Sequence, residues 1–387
     1  MQTQRILIFT SIFPPDIGGP ATFVNEFSKR LIHFGGKVQI LTFSNIKTFH
    51  FQTFVKERVT IHKIPFRNHI ILRSLYALYF LITHKNEYTL IYAHGSVWDT
   101  GLPALIATKT LRKKLVIKVT GDNAWERSFQ KKNFNLSLEE FYVSKTPLKI
   151  KIFKFLQRFI SNHCDKIIVP STYCKTLVEK WNPSNSKKIA IIYNAVSLDN
   201  PPYSKDKIRE ILELNPKSFI LLSITRLVLH KGIQEMIEIM DKLITKIPQA
   251  ELLIIGSGPV KIPPRPHVKH MEAIENSKCH LFYKASDIFI LNSKYEGLSH
   301  VILEAMSHGL PCVVSNVGGN AEVILSGKNG FLFKHNDYDD CINKITTLYN
   351  NSDLYKNTSK LALERAKNFS WQHCLARHRN IFSELSP

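Results

Sequence analysis

The sequence predicts an α/β protein made of two doubly wound domains, each a parallel sheet covered by helices. Short apolar runs rich in β-branched residues alternate with helical patterns, in two successive series. The runs are continuously apolar, as in strands buried on both faces. The chain has 387 residues, more than one hydrophobic core usually supports. With 44% hydrophobic and 21% charged residues, the composition excludes a disordered or fibrous protein.

The predicted strands fall into two groups. The first group includes Arg5–Thr10, Val38–Thr42, Leu90–Ala93, Leu115–Val119, Lys166–Pro170 and Ile189–Tyr193. The second includes Phe219–Ile224, Glu251–Ile255, Ile288–Leu291 and Pro311–Ser315. Between them lies Asn194–Lys205, whose Pro201-Pro202 pair and turn-forming residues indicate a boundary. We therefore predict domains at 1–195 and 196–370.

The charge is concentrated in the first domain. The chain carries a net charge of +21. Residues 1–195 hold 29 Lys and Arg against 11 Asp and Glu, a net charge of +18, which leaves +3 for residues 196–387. Such an excess predicts an anionic partner: nucleic acid, a phosphate-rich ligand or an acidic membrane face. The two halves are expected to have different partners.

Cysteine usage and hydropathy indicate a cytoplasmic protein. The six cysteines form no CxxC pair, which favours reduced thiols over a disulfide framework or a zinc site. The N-terminal residues have no signal-peptide profile. The most apolar helical run, Ile70–Thr83, contains Arg73 and would reach about 21 Å, short of the roughly 30 Å hydrocarbon core. No transmembrane segment is predicted.

Two glycine-containing loops follow predicted strands, where ligands of open α/β sheets bind. Gly18 and Gly19 precede the predicted helix Ala21–Phe34, whose free N–H groups suit an anion. A plain tight turn is the alternative. Gly256 and Gly258 end the strand Glu251–Ile255, but this loop does not complete GxGxxG and is a weak signal alone.

A pair of cations follows the strand Phe219–Ile224. Arg226 and Lys231 lie five residues apart at the strand end, where they could hold a diphosphate. Arginine grips phosphate oxygens through two parallel bonds, whereas lysine acts as a point charge. The alternative is two solvated surface cations.

The strongest motif is a pair of carboxylates separated by seven residues. Glu296 follows the strand Ile288–Leu291, and Glu304 lies one to two turns into a helix predicted to begin near Ser299. Carboxylates accept hydrogen bonds from paired hydroxyls, and the N–H groups of residues 298–300 could meet a phosphate between them. An acidic loop residue and a solvated helix residue are the alternative, which the apolar stripe beside Glu304 disfavours.

Taken in order, these segments resemble the retaining GT-B glycosyltransferases of glycosyltransferase family 4. The similarity runs over nearly the whole chain, through FPPDIGGP, RLVLHKG, GSGP, YEGLSHVILEAMSHGLPCVVSNVGGNAEVI and the final FSW helix. The E-x7-E element with the upstream R-x4-K is its specific part. The resemblance implies two Rossmann-like domains facing a central cleft, with the nucleotide-sugar held by the C-terminal one. A last helix, about 371–387, would cross back onto the N-terminal acceptor domain.

The resemblance also implies a role for each site residue. Arg226 and Lys231 would neutralise the donor diphosphate, Glu304 would bind the ribose hydroxyls, and Glu296 those of the transferred sugar. Further donor-side positions are Gly18, Gly19, Gly256, Gly258, Gly297, Leu298 and Ser299. No metal and no cofactor beyond a UDP- or GDP-linked sugar are expected, because the two cations replace a metal. Retention would proceed on the front face through a short-lived ion pair, with the leaving diphosphate helping to remove the acceptor proton.

One position departs from the family. Many members carry a histidine after the strand that is Leu115–Val119 here, and this chain has Thr120 instead. Asp122, which we assign to the catalytic set, or Asn123 would take over its sugar contacts, or Thr120 more weakly. His94 also ends a predicted strand, and is either a site residue or a structural one.

Two segments suggest a membrane surface as partner. In Pro147–Ile160, Leu148, Ile152, Phe155, Leu156 and Phe159 share one side, with Lys151, Lys154 and Arg158 opposite. This helix either lies on an anionic membrane or packs as an ordinary Rossmann helix on its own sheet. Ile70–Thr83, with Arg67 and Arg73 nearby, is the second candidate. Together they predict peripheral attachment at the inner face of the membrane, and a lipid-linked or polysaccharide-precursor acceptor.

Three other functions were weighed. A GT-B sugar-nucleotide epimerase or phosphorylase would share the architecture, since the fold alone does not determine the reaction. An NAD-dependent oxidoreductase needs GxGxxG after the first strand and an acidic residue about twenty positions on, and neither is present. A basic nucleic-acid-binding protein would need a recognition module, and none is evident.

Overall fold

The computed structural model describes residues 5–16, 18–33, 37–44, 51–65, 69–95, 97–129, 136, 138–198 and 201–385, with only the backbone at 129 and 139. The chain divides into two units, Met1–Tyr193 with Gln372–Pro387, and Asn194–Trp371. We call them unit 1 and unit 2. Four sets of predicted residues lie outside the described residues: Ile17 of the first glycine loop, Phe34 at the predicted end of the first helix, Arg67 of the second membrane-surface candidate, and residues 199–200 of the predicted linker.

Unit 1 contains an eight-stranded sheet in the order β3-β4-β2-β1-β5-β6-β7-β8. Its strands are β1 Arg5–Thr10, β2 Lys37–Phe43, β3 Gln52–Lys56, β4 Val59–Ile64, β5 Leu90–His94, β6 Lys114–Lys118, β7 Lys166–Val169 and β8 Ile189–Ile191. Only the pairing of β3 with β4 is antiparallel among them. The connecting helices are α1 Gly19–Ile32, α2 Ile70–Thr83, α3 Gly101–Thr110, α4 Asn123–Phe129, α5 Leu138–Val143, α6 Leu148–His163 and α7 Thr172–Trp181.

Unit 2 contains a six-stranded parallel sheet in the order β11-β10-β9-β12-β13-β14. Its strands are β9 Phe219–Ile224, β10 Ala250–Ile255, β11 Val268–Met271, β12 Ile288–Leu291, β13 Cys312–Ser315 and β14 Phe331–Phe333. Its helices are α8 Lys205–Ile211, α9 Ile233–Leu243, α10 Asn276–Ala285, α11 His300–Ser307, α12 Asn320–Val323, α13 Tyr338–Asn350 and α14 Ser352–Ala366. The last helix, α15 Trp371–Glu384, belongs to unit 1 from Gln372 onward.

The predicted fold class is confirmed, since both units are parallel-sheet α/β layers of the Rossmann type. The central strands coincide with the continuous apolar runs of the sequence. Sequence analysis missed β3, β4, β11 and β14. Two of these, β3 and β11, are exposed or half-buried along their length at a sheet edge, so no buried face imposes an apolar run on them.

The last helix is anchored in unit 1 by a buried histidine. His378 lies against Phe27, with ring centroids 4.6 Å apart. Its Nε2 accepts a hydrogen bond from the Tyr92 hydroxyl at 3.1 Å, while Nδ1 donates to the Cys374 carbonyl at 2.8 Å. Burial, together with a smaller contribution from the nearby Lys118, lowers the pKa of His378 to about 3. The ring is therefore neutral, which both hydrogen bonds require.

Helix α6 leaves most of its predicted apolar side exposed. It packs on unit 1 through Ile150, Phe153, Gln157 and Ile160. Four members of the predicted apolar side, Leu148, Ile152, Phe155 and Phe159, are exposed, and Leu156 is half-buried. The helix is therefore a Rossmann helix whose apolar stripe points away from its own sheet.

The one charged residue of helix α2 is not on the surface, as the membrane prediction required. Arg73 is buried, forms an ion pair with Asp99 and lies over the Phe43 ring. It cannot supply positive charge to a membrane surface, contrary to the prediction. In the part of the chain that the structure describes, no helix combines the length and the apolar character needed to cross a membrane.

The structure contradicts a sugar contact for Asp122. Its carboxylate is 0% exposed and accepts from the Trp125 N–H at 2.9 Å, the Trp181 indole at 3.1 Å and the Gln157 amide at 3.4 Å. The Tyr142 hydroxyl donates to it as well. These donors belong to α4, α5, α6 and α7, so Asp122 joins four helices and has a structural role.

We expect His378 to make unit 1 sensitive to acid. An unfolded chain restores the pKa of this ring from about 3 to 6.5, so the unfolded state takes up the proton first as the pH falls. The free energy of unfolding should therefore decrease between about pH 6.5 and 3, by up to about 1.4 kcal/mol per pH unit for this group. Urea unfolding of His378→Gln at several pH values should show a shallower decrease. The exposed His163→Gln is the control, and equal slopes in both variants would contradict the assignment.

Asp122→Ala should destabilise unit 1 strongly. The substitution leaves buried N–H and O–H donors on four helices without their acceptor, a loss of about 3–5 kcal/mol. Thermal or urea unfolding measures it. Glu210→Ala, which removes an exposed ion-paired acid of α8, should change stability by less than about 1 kcal/mol. If Asp122→Ala retained wild-type stability, the carboxylate would not hold these helices.

Candidate active site

Glycines bring the loops that follow the strands of unit 2 into backbone contact. Gly232 has a left-handed conformation (φ 67°), and a Cβ there would lie 2.0 Å from the Asn292 carbonyl oxygen. A Cβ on Gly256 (φ 155°) would lie 1.8 Å from the Thr225 carbonyl oxygen. Neither position admits a side chain, because both distances are far below van der Waals contact. The loops after β9, β10 and β12 therefore interlock through their backbones.

A further glycine pair, which lies in the segment VGGNAEVI and had no predicted role, supports Glu296. Gly318 follows β13 with φ 54°, and a Cβ on it would lie 1.7 Å from the Glu296 carbonyl oxygen. The Gly319 N–H donates to that same oxygen at 3.0 Å. The available signal was two adjacent glycines after a buried strand. This pair holds the backbone on which the Glu296 side chain is mounted.

Lys231 and Glu296 meet at the ends of the neighbouring strands β9 and β12. The Lys231 ammonium lies 2.6 Å from Oε1 of Glu296, and the Ser293 hydroxyl donates to the same oxygen at 2.7 Å. The carboxylate is buried, with Glu296 only 6% exposed. Among the described residues, every side-chain hydrogen bond to Glu296 goes to Oε1. Oε2 is therefore the oxygen that remains to accept from a ligand.

The loop that carries both predicted cations contains a neutral histidine. Arg226 is exposed, while His230 is buried beside Lys231. Burial, together with repulsion from Lys231 and Arg226, lowers the pKa of His230 to about 3. The Lys294 N–H donates to the His230 carbonyl at 2.8 Å, which joins this loop to the one carrying Glu296. The positive charge of the loop is thus confined to Arg226 and Lys231.

Glu304 is held at two points by residues of α10. The Tyr283 hydroxyl donates to Oε2 at 2.8 Å, and the Asn276 amide donates to Oε1 at 3.4 Å. Burial raises the pKa of Glu304, whereas these two hydrogen bonds lower it. Sequence analysis missed Tyr283 and Asn276, because nothing local in the sequence relates α10 to α11. Together they orient a carboxylate whose charged form needs support.

The second glycine loop is joined to the same region. A Cβ on Gly258 would lie 2.3 Å from the Leu227 carbonyl oxygen, beside Arg226. The Ser257 hydroxyl donates to the Glu272 carboxylate and accepts from the Ala273 N–H at 2.9 Å. The chain then continues to Asn276, which contacts Glu304. This connection joins the loop after β10 to the segment that leads into α10.

The segment between the two carboxylates opens α11. Gly297 and Leu298 are buried, and Ser299 is the N-cap of the helix. The Asn194 amide donates to the Leu298 carbonyl at 3.1 Å and fixes the segment. The first N–H groups of α11 follow directly, and helix N-termini are suited to phosphate.

The remaining predicted positions lie in unit 1. Gly18 is the N-cap of α1, and Gly19 is its first residue. His94 is 1% exposed, and its ring is stacked on Phe23 with centroids 5.2 Å apart, as expected of a structural histidine. Thr120 is half-buried, and Asn123 accepts from the Val97 N–H at 2.9 Å.

No metal site is found in the described ranges of the chain, where no three His, Cys, Asp or Glu side chains cluster closely enough to hold an ion. Around the carboxylates, the groups able to hold an anionic ligand are Arg226, Lys231 and the first turn of α11.

Two family models match the chain. The model for glycosyltransferase family 4 matches residues 17–200, and that for glycosyl transferases group 1 matches residues 204–365. A curated relative is the UDP-Gal:alpha-D-GlcNAc-diphosphoundecaprenol alpha-1,3-galactosyltransferase of Escherichia coli. It is 28% identical over 71% of this chain and 69% of its own length.

Solved structures share the whole fold. Sucrose-phosphate synthase from Thermosynechococcus elongatus superposes with a TM-score of 0.81 at 18% identity, over 99% of each chain. The Anabaena HepE protein in complex with UDP and glucose gives a TM-score of 0.75 at 17% identity, over 99% of this chain and 100% of that one. Both units therefore follow the GT-B architecture. With the two family models spanning most of its length, the chain belongs to glycosyltransferase family 4 and is a GT-B glycosyltransferase.

Proposed function

We propose that this enzyme transfers a sugar from a UDP- or GDP-linked donor, held by unit 2, to a lipid-linked or glycan acceptor. Transfer retains the anomeric configuration and needs no metal ion. The observation that carries the proposal is the Lys231–Glu296 pair, which presents a cation and a carboxylate side by side at the strand ends. Glu304 provides a second carboxylate, held independently by Tyr283.

Lys231 suits a diphosphate that binds next to Glu296. An ammonium has three N–H donors, and one of them is engaged by Oε1 of Glu296. The other two can reach phosphate oxygens without breaking the ion pair. Arg226 is exposed five residues earlier and adds a bidentate donor. The two cations stabilise the charge that develops on the leaving diphosphate, which lowers the barrier to transfer.

The two carboxylates divide the donor between them. Oε2 of Glu296 accepts from hydroxyls of the transferred sugar, and Glu304 accepts from the ribose hydroxyls. The first N–H groups of α11 lie between these residues in sequence and favour the phosphates. Gly256 and Gly258 keep their loop free of side chains where the nucleotide approaches.

The reaction balances without a further reactant. The bond between the anomeric carbon and the diphosphate oxygen breaks, and its electron pair leaves with the diphosphate. The acceptor hydroxyl oxygen forms the new bond on the same face of the sugar. Its proton passes to the leaving diphosphate, so the products are the glycoside and a nucleoside diphosphate.

The acceptor is proposed from the charge of unit 1 and from a relative. The net charge of +18 in residues 1–195 favours an anionic acceptor. The Escherichia coli relative is named for an acceptor sugar carried on diphosphoundecaprenol. A phosphorylated lipid carrier at the inner membrane face satisfies both observations. Thr120 and Asn123 are the candidate contacts on this side.

A thermal-shift screen against UDP-, GDP- and ADP-sugars identifies the donor. The matching donor is then incubated with lipid-diphosphate acceptors, and the linkage of the product is determined by NMR. An α-linked product from an α-linked donor supports retention, and full activity in EDTA supports metal independence. Epimerised or phosphorolysed donor without an acceptor product would contradict the proposal.

Glu304→Ala should weaken nucleotide binding by roughly 10- to 100-fold, because a charged hydrogen-bond acceptor is lost.

Tyr283→Phe should weaken nucleotide binding about tenfold or less and shift the pH dependence of that binding. Removing a hydrogen bond that lowers the pKa of Glu304 lets that pKa rise, so affinity should begin to fall at a higher pH. Calorimetry from pH 5 to 8 measures both effects. Tyr355→Phe, which loses a hydroxyl bond to the Asp287 carbonyl, is the matched control. An unchanged pH profile in Tyr283→Phe would contradict a positioning role.

Glu296→Gln should lower kcat by roughly 100-fold while nucleotide binding changes little, because the carboxylate acts on the sugar during transfer. Gly318→Ala should cause a comparable loss by displacing the Glu296 backbone. Glu251→Gln is the matched control, since Glu251 is likewise bound by a lysine and a serine, Lys269 and Ser218. Steady-state kinetics with saturating acceptor separate kcat from KM. Normal turnover in Glu296→Gln would contradict the role of Glu296.

A further inference from the structure

Unit 1 exposes large apolar side chains on two of its helices. On α2 these are Ile71, Leu75 and Tyr79, and on α6 they are Ile152, Phe155 and Phe159. Their exposed fractions range from 39 to 74%. We call these six residues the α2–α6 surface. Scattered apolar residues are normal on proteins, but a contiguous exposed set indicates an interaction site.

On each helix the exposed apolar residues lie opposite the buried ones. Helix α6 packs on unit 1 through Ile150, Phe153 and Ile160, and about 100° of rotation per residue turns Ile152, Phe155 and Phe159 to the far side. Helix α2 packs through Ala77, Phe80 and Leu81. Its residues Ile71, Leu75 and Tyr79 point the other way. Each helix is therefore anchored by one apolar face and presents a second.

The two exposed faces belong to one layer of unit 1. Helix α3 packs against α2 on one side and against α6 on the other. Its own exposed side chains include the apolar Ile106. The α2–α6 surface is thus a single surface spread over three adjacent helices.

The three helices themselves carry charge of one sign. Helices α2, α3 and α6 contain no Asp or Glu. Lys149, Lys151 and Arg158 are exposed on α6, and Lys109 is exposed on α3. Arg73 of α2, which is buried on Asp99, leaves the α2 part of the surface purely apolar. An apolar strip bordered by cations is complementary to a bilayer with anionic headgroups.

We propose that the α2–α6 surface inserts into the headgroup region of an anionic bilayer, with α2 and α6 lying in the membrane plane. Only the purpose of this membrane binding rests on the proposed function: it would bring the acceptor domain to a lipid-linked substrate. A second copy of the chain is a poorer partner, because pairing the same surface would place like cations against each other. The apolar side chains supply affinity, and the cations select anionic lipid.

Flotation with vesicles of phosphatidylcholine and phosphatidylglycerol tests the proposal, with pure phosphatidylcholine vesicles for comparison. The wild-type chain should float with the anionic vesicles at low salt, and less as salt rises. Ile152→Glu/Phe155→Glu and Ile71→Glu/Leu75→Glu should each bind at least about tenfold more weakly. Lys149→Gln/Lys151→Gln/Arg158→Gln should lose the preference for anionic vesicles. Ile211→Glu in unit 2 is the matched control, since Ile211 is 49% exposed against 48% for Ile152.

The outcomes separate this surface from the proposed function. Thermal unfolding and donor binding confirm that each variant is folded. A wild-type chain that does not float, or double variants that float as well as the control, would overturn the surface. So would sedimentation showing a dimer that Ile152→Glu dissociates, because the partner would then be a second copy. If a chain that does not float still transfers sugar to a soluble acceptor, membrane binding by the α2–α6 surface is contradicted and the proposed function is not. If the chain floats but has no transfer activity, the proposed function is contradicted and membrane binding is supported.

Discussion

The candidate site depends on one buried ion pair. Lys231 and Glu296 meet at the ends of two adjacent strands, and a buried pair of opposite charges is stable only where its geometry is held. Backbone contacts hold the geometry of this ion pair. Gly232 lies against Asn292, and Gly318 lies against Glu296 itself. These contacts are too close to admit a side chain, so the glycines allow the loops that follow β9, β12 and β13 to approach one another. The catalytic proposal requires that this geometry be in place before the ligand arrives.

The architecture could be predicted from hydrophobic runs, and the parts that failed share a physical cause. Strands with two buried faces, such as Phe219–Ile224 and Ile288–Leu291, are apolar along nearly their whole length. Edge strands such as β3 carry no such constraint and were missed. For α6 the periodicity was correct but left open which face is buried, because the helix has apolar residues on both sides. Periodicity states which residues share a side, and only the tertiary structure states which side is buried.

Prediction of the site followed the same division between local and distant information. Glu296, Glu304, Arg226 and Lys231 were found because their spacing within a segment carries the signal. Tyr283 and Gly318 act across elements, on a carboxylate in the next helix and on a loop carbonyl, and no spacing reveals such contacts. Asp122 shows the converse error: an acid at a strand end looked available, yet four donors from different helices occupy it.

The return of α15 to unit 1 has a consequence for biosynthesis. The Tyr92 hydroxyl and His378 are 286 residues apart in sequence, and all of unit 2 is translated between them. On the ribosome, the face of unit 1 formed by Phe27 and Tyr92 remains exposed while unit 2 is synthesised and folds. Unit 2 can reach its native structure first, although it is encoded second. During that interval the nascent chain exposes an aromatic surface, which is covered only when the last helix emerges.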